Sequence, residues 1–346
     1  LNSLPGLRPD GLRGGELYHD GQFDDARLAI SLAQAMANHG GVLLNYVRVI
    51  ALTKRANRVS GVRALDVETG AEFEIEAKVV INATGVFADE VRRLDNAEVA
   101  PTLAPSQGTH LVLDASFLPG EVALMVPRTD DGRVLFAIPW LGRVLVGTTD
   151  TGVSTVAAEP RPLAVEIDFL LEHAARYLAK TPTRGNVLSA FAGLRPLVKS
   201  TPIKAASRLA RDHMIGVSDS GLVTIIGGKW TTFRRMAEDV IDAAVQSGGL
   251  EQRACVTENL RIPASPPHTE ISVGEADVLG AVRKEMARTV EDVLARRTRT
   301  LFLDARASLE AAPQVATIMA GELGRDEQWE ADQVRRFREL ASGYLV

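Results

Sequence analysis

A single cysteine, Cys255, excludes an internal disulfide and any cysteine-based zinc site. A reducing compartment is the natural expectation, and Cys255 reads as a buried bystander rather than a nucleophile. No apolar run approaches the ~18 residues that a membrane-spanning helix needs. Nor does a basic stretch followed by an apolar core open the chain, so no signal peptide is expected. Basic residues do not dominate: 39 Lys and Arg face 44 Asp and Glu, for a net charge of −5. That excludes a dedicated nucleic-acid binder while leaving room for a local basic pocket that takes an anionic metabolite. Clustered metal-ligating carboxylates are also missing, and no metal site is expected. The first residue is Leu rather than Met, which leads to the expectation of a partial gene product.

What is present belongs to a folded protein. Hydrophobic residues make up 46% and charged residues 24% of 346 residues, enough for two or three domains with substantial cores. An apolar stripe at Leu28, Leu32, Ala35 and Met36 predicts a helix over 24–39, stopped by Gly40-Gly41. Strands are expected near 44–50, 59–67 and 73–79, the last two joined by Glu68-Thr69-Gly70 as a meander. A short buried strand over 78–82 then leads into a helix ending near Arg93. From Pro101, strands over 109–113, 122–126, 134–138 and 144–148 are separated by turn formers, which predicts an antiparallel sheet. An amphipathic helix over 166–179, strands over 187–191, 214–217 and 222–226, and a helix over 231–245 follow. Past a linker at Pro263–Pro267 the chain reads as helices over 278–297, 305–323 and 328–340. A βαβ-like piece, an antiparallel sheet and a helical tail make an α/β or α+β enzyme with an appended helical module.

Four segments carry chemistry. Val80-Ile-Asn-Ala-Thr-Gly85 runs a strand into small residues and a helix, a geometry that either merely connects the two or lets a phosphate approach the backbone. Gly227-Gly-Lys-Trp-Thr-Thr232 repeats that geometry and adds the cation Lys229. Its spacing fails the Walker A pattern, so it is either a capped helix or a cradle for an electron-rich ring or phosphate. Arg195, Arg208 and Lys229 are loop or strand-end cations that suit a dianion if they converge, and solvated side chains if they do not. His110, in Ser106-Gln-Gly-Thr-His110, is placed at a strand start as either a structural histidine or a general base. The arginines at 288, 296, 297, 299 and 306 read as a solvated helix face or a membrane or subunit contact.

Together these stretches resemble the FAD-dependent glycerol-3-phosphate dehydrogenase family, within the D-amino-acid-oxidase-like flavoproteins. The resemblance rests on Tyr18-His-Asp-Gly-Gln-Phe-Asp-Asp-Ala-Arg-Leu28, Val80–Gly85, Pro105–His110 and Met125-Val-Pro-Arg-Thr-Asp-Asp-Gly-Arg133. It continues through Val146-Gly-Thr-Thr-Asp150, Gly193-Leu-Arg-Pro-Leu197, Ile226–Thr232 and Glu285–Arg297, in order along nearly the whole chain. Two departures stand out. The family's opening G-x-G-x-x-G turn has no counterpart here, since Gly11-Leu-Arg-Gly-Gly15 does not fit, and the link over 263–274 is short.

The resemblance implies a partial FAD-binding Rossmann-like domain over 1–100 with a return segment over 206–250. It also implies a substrate-binding antiparallel sheet over 101–205 and a helical domain over 255–346. The implied reaction oxidises sn-glycerol 3-phosphate to dihydroxyacetone phosphate, with electrons passed to a quinone. An oxidase that uses oxygen and a truncated non-catalytic fragment are the alternatives. Catalytic roles are implied for His110, Arg195 and Lys229, and substrate contacts for these and Arg208. Cofactor contacts are implied for Val49, Ala83, Thr84, Gly85, Gly193, Leu194, Gly227, Gly228, Lys229, Trp230, Thr231 and Thr232. A cytoplasmic protein, peripheral on the inner face of the cell membrane, and a homodimer are the expected setting.

Overall fold

The computed structural model describes residues 4–199, 213–263 and 273–346. Asp24 caps α1 (Asp25–Asn38) by accepting from the Arg27 amide at 3.1 Å. The meander follows as β1 (Val47–Arg55), β2 (Arg58–Asp66) and β3 (Glu72–Glu76), paired antiparallel in that order. β1 starts later than the sequence predicts because Tyr46 takes φ 55° and aims its hydroxyl at Asp292, 2.8 Å away. Only Ile81–Asn82 (β4) is strand in the segment expected over 78–82, and α2 (Ala88–Asp95) follows a helical turn at Gly85–Phe87.

A six-stranded sheet is built from β5 (Ser106–Asp114), β6 (Leu124–Val126), β7 (Leu135–Trp140), β8 (Arg143–Gly147), β9 (Thr151–Gly152) and β10 (Val187–Arg195). Its order is β10-β5-β8-β7-β6, with β9 also on β5, and all of these pairings are antiparallel. Period-2 alternation puts Leu111 and Leu113 of β5 with Val144 and Val146 of β8 in one core. The helix α3 (Ala164–Tyr177) covers that face with Ile167, Leu170, Leu171 and Ala174. β11 (His213–Val217) and β12 (Val223–Gly227) form a hairpin, and β12 runs parallel to β4. On this small sheet packs α4 (Phe233–Gly248), through Val240 and Ala244 against Val223 and Ile225.

The last core is helical: α5 (Glu275–Glu285), α6 (Thr300–Leu303), α7 (Ala305–Leu323) and α8 (Glu327–Ala341). The single helix expected over 278–297 is instead broken. α5 ends at Met286, which takes φ 59°, and a π-helical turn covers Asp292–Arg297. Side chains take over the backbone partners at the break. Asp292 accepts from the Arg288 and Thr289 amides, Arg297 donates to the Glu285 carbonyl, and Arg299 donates to the carbonyls of Ala295 and Arg296. Arg299, buried, also reaches Asp24 at 2.5 Å, and Arg27 pairs with Glu285 through both carboxylate oxygens. These pairs tie α1 to the helical core. At the head of α7, Asp304 accepts from the amides of Arg306 and Ala307. Asp304→Ala is expected to lower stability by about 1 kcal/mol, read as a lower urea midpoint with an unchanged slope.

A candidate active site on the face of the sheet opposite α3

The face of the six-stranded sheet opposite α3 gathers the sequence-predicted residues of β5 and β10. Ser106, Gly108 and His110 alternate onto it from β5, and Phe191, Gly193 and Arg195 from β10, where Phe191 pairs with His110 and Gly193 with Gly108. Leu194, between them in sequence, points to the other side. Two glycines make the room. A Cβ at Gly108 would lie 2.3 Å from Arg195 Nη2, and one at Gly147 would lie 2.1 Å from His110 Cδ2. The Arg195 guanidinium is anchored by Asp150 Oδ1 at 3.2 Å, Thr148 Oγ1 at 3.2 Å and the Thr149 carbonyl at 3.1 Å. Asp150 in turn accepts from Ser106 Oγ.

The His110 ring stacks on Phe191, with centroids 5.4 Å apart and planes 20° off parallel. Phe191 stands edge-on to Phe302 at 4.8 Å, and Phe302 edge-on to Tyr344 at 5.5 Å, so the helical core buttresses the histidine. Burial first, then the Arg195 charge, pushes the His110 pKa down to about 4. The imidazole is therefore neutral at physiological pH and able to accept a proton. The same shift has a consequence for stability. Between pH 6.5 and about 4 the native state binds fewer protons here than the unfolded chain. The contribution is full above pH 6.5 and is lost as pH falls toward 4. His110→Gln is expected to flatten the fall of urea-unfolding stability across that window, and an unchanged slope would mean that the ring is solvated.

A second group forms where two parallel strands end. β4 and β12 are in register at Ile81 with Val223 and Asn82 with Thr224, so the turns Ala83-Thr84-Gly85 and Gly227-Gly228 leave the sheet side by side. Gly227 and Gly228 both take φ 75°, and Gly85 takes φ 58°. Buried Asn82 fixes the first turn, donating to the Ala88 carbonyl at 2.9 Å and accepting from Thr84 Oγ1 at 2.7 Å. Ala83, Thr84, Lys229, Trp230, Thr231 and Thr232 are exposed, and helical turns begin at Gly85 and Trp230, whose first amides have no partner within the turn. Among the described residues the Lys229 ammonium has no ion pair. Ile226, at the end of β12, packs with Leu103 and Val198, just beyond Arg195, and this joins the two groups. Val49 stands exposed on β1, paired with Ala64.

Arg208 lies outside the described residues, so the convergence of three cations reduces here to Arg195 and Lys229 on two neighbouring structures. Cys255 is exposed rather than buried, with Sγ 3.0 Å from Thr257 Oγ1. Sequence reasoning missed Asn82, the anchoring role of Asp150, and the carboxylate of Glu166 beneath β5. Asn82 and Asp150 carried a signal, within Val80-Ile-Asn-Ala-Thr-Gly85 and Gly-Thr-Thr-Asp150, and Glu166 carried none. No group of residues able to hold a metal ion occurs among the described residues.

Comparison with known proteins follows this layout. A family model described as FAD dependent oxidoreductase matches residues 2–234, and one described as the C-terminal domain of alpha-glycerophosphate oxidase matches 224–330. The mitochondrial glycerol-3-phosphate dehydrogenase of Mus musculus is 36% identical over 409 aligned positions, covering 99% of this chain and 56% of its own length. Glycerol-3-phosphate dehydrogenase SDP6 of Arabidopsis thaliana, also mitochondrial by name, is 34% identical, covering 95% of this chain and 62% of its own. The chain thus spans little more than half of the curated relatives it matches. The glycerol-3-phosphate dehydrogenase of Bacillus halodurans, solved with FAD, superposes with a TM-score of 0.86 at 27% identity, over 100% of this chain and 78% of that one.

Proposed function

The chain belongs to the FAD-dependent oxidoreductase family, and from that premise we propose that it serves the oxidation of sn-glycerol 3-phosphate to dihydroxyacetone phosphate, with electrons delivered to a quinone. The observation that carries the reading is the single sheet face on which a neutral, half-buried imidazole and an anchored guanidinium stand beside two glycines that leave them space.

The cofactor fits the residues present at the strand-end cradle. Side-by-side turns with left-handed glycines, each opening a helical turn, suit a phosphate-bearing, electron-rich group. Ala83, Thr84 and Gly85 would hold its nucleotide half, with Val49 at the adenine. Gly193, the backbone of Leu194 and Gly227–Thr232 would line its ring, with the Lys229 charge beside it. When bound, FAD supplies the two-electron acceptor for the hydride of substrate C2.

The chain's own residues do the rest. Arg195 and Lys229, joined by Arg208, hold the phosphate dianion and so fix C2. His110 accepts the C2 hydroxyl proton as the carbonyl forms. In this reading residues 101–205 carry the substrate sheet, 1–100 and 206–250 hold the cofactor, and 255–346 form the helical support. No helix among the described residues is long and apolar enough to cross a membrane, so the encounter with quinone is a peripheral one in this proposal. A homodimer is the assembly we expect. The match to an oxidase C-terminal domain favours a second reading in which oxygen takes the electrons, and peroxide produced on turnover would select it.

The test is titration of FAD into the purified chain, read by the flavin absorbance change, followed by anaerobic addition of glycerol 3-phosphate. Saturable binding and bleaching of the flavin band by the phosphate ester are expected. Bleaching by an amine but not by glycerol 3-phosphate would overturn the reading, and absence of FAD binding would leave the chain a non-catalytic fragment.

A further inference from the structure

Glu166 opens the helix that packs under the substrate sheet, and it is almost wholly buried. A buried carboxylate is costly unless its lone pairs are filled. Here five donors fill them. Oε2 accepts from Gln107 Nε2 at 2.8 Å, Thr109 Oγ1 at 2.6 Å and the Leu163 amide at 3.0 Å. Oε1 accepts from Thr149 Oγ1 at 2.9 Å and Thr151 Oγ1 at 2.7 Å. Burial raises its pKa, but the hydrogen bonds outweigh burial and hold the carboxyl below its ordinary value, so it stays ionised.

The donors come from two places that matter to the other face of the sheet. Gln107 and Thr109 flank Gly108, the position over which the Arg195 guanidinium lies. Thr149 and Thr151 flank Asp150 in the segment that anchors Arg195 through Thr148 Oγ1, the Thr149 carbonyl and the Asp150 carboxylate. The Thr109 amide also donates to Thr149 Oγ1 at 2.9 Å, which closes the network. One carboxylate therefore registers the 149–151 segment against β5. We propose that Glu166 is a positioning residue for anion capture: it touches neither substrate nor cofactor, and sets the orientation of Arg195 from the opposite side of the sheet. The inference rests on the role given to Arg195 above.

Glycerol 3-phosphate is titrated calorimetrically into the purified full chain, and KM and kcat are measured on the FAD-loaded protein. Glu166→Gln is expected to weaken affinity and raise KM about fivefold, less than the loss of the whole charge-assisted pairing, because the guanidinium is misaligned rather than removed. kcat at saturation should move less than about twofold, because the reacting atoms are untouched. Thr151→Val removes one donor and is expected to cost about threefold, with Thr151→Ser restoring the wild-type value. This pair decides the matter if Glu166→Gln does not fold. The double variant Glu166→Gln, Arg195→Ala should bind no more weakly than Arg195→Ala alone, since both act through one guanidinium. Normal affinity in Glu166→Gln, or in Thr151→Val, alongside a weakened Arg195→Ala overturns the positioning role and leaves Arg195 in place. Normal affinity in Arg195→Ala overturns both. A fall in kcat with KM unchanged overturns the proposal as well, since it would place Glu166 behind the chemistry rather than the capture.

Discussion

Arg195→Ala is expected to raise KM for glycerol 3-phosphate, and its calorimetric Kd, by about 10- to 100-fold, with a smaller change in kcat. The figure follows from one charge-assisted pairing, roughly 1.5–3 kcal/mol. A guanidinium carries five N–H donors. Among the described residues three are spoken for, by Asp150, Thr148 and Thr149, and these fix the plane of the group. The remainder are free for a phosphate. The fixed plane also means that little side-chain entropy is lost on binding, which is where a preformed fork gains over a mobile one. Arg195→Lys keeps the charge but gives up the planar fork, so it is expected to fall between wild type and alanine. A lysine variant as poor as alanine would show that geometry rather than charge does the holding. An unchanged Kd in Arg195→Ala would move phosphate capture elsewhere, with Lys229 the next cation to test.

The parts of the fold that could be read from sequence are those whose cause is local. Glu68-Thr69-Gly70 between two alternating runs gave β2 and β3, and the stripe on α1 ended at two glycines. The parts that could not be read depend on partners distant in sequence. Tyr46 shifts the start of β1 because Asp292 waits for its hydroxyl, and the helix expected over 278–297 breaks where Asp292, Arg297 and Arg299 take backbone groups for themselves. A heptad-like pattern cannot show that an arginine 275 positions away from Asp24 will be buried against it. The site divides in the same way. His110, Arg195 and the glycine turns announce themselves by residue type and neighbours. Glu166, in the first turn of a helix, reads from sequence as an ordinary partner of the helix dipole. Its role emerges only once β5 and the 149–151 segment are folded over it.

The second large effect is expected at His110. His110→Gln should lower kcat by about 100-fold or more while leaving the calorimetric Kd for glycerol 3-phosphate within a few-fold of wild type. The split separates it from Arg195, because a base contributes when the C2 hydroxyl proton moves, whereas the phosphate anchor contributes from the first encounter. A pKa near 4 keeps the imidazole free to accept that proton throughout the physiological range. The low value also caps its strength as a base, so much of its worth must come from placement. Placement is what the surrounding rings supply: Gly147 lets the imidazole lie flat on β8, Phe191 covers it, and Phe302 and Tyr344 hold Phe191 from the helical core. Phe302→Leu should therefore lower kcat several-fold with Kd preserved, an effect at a distance that a purely structural histidine would not transmit. A His110→Gln enzyme with near-normal kcat would return the ring to a structural role, and the proton would then have to leave by another group on the same face.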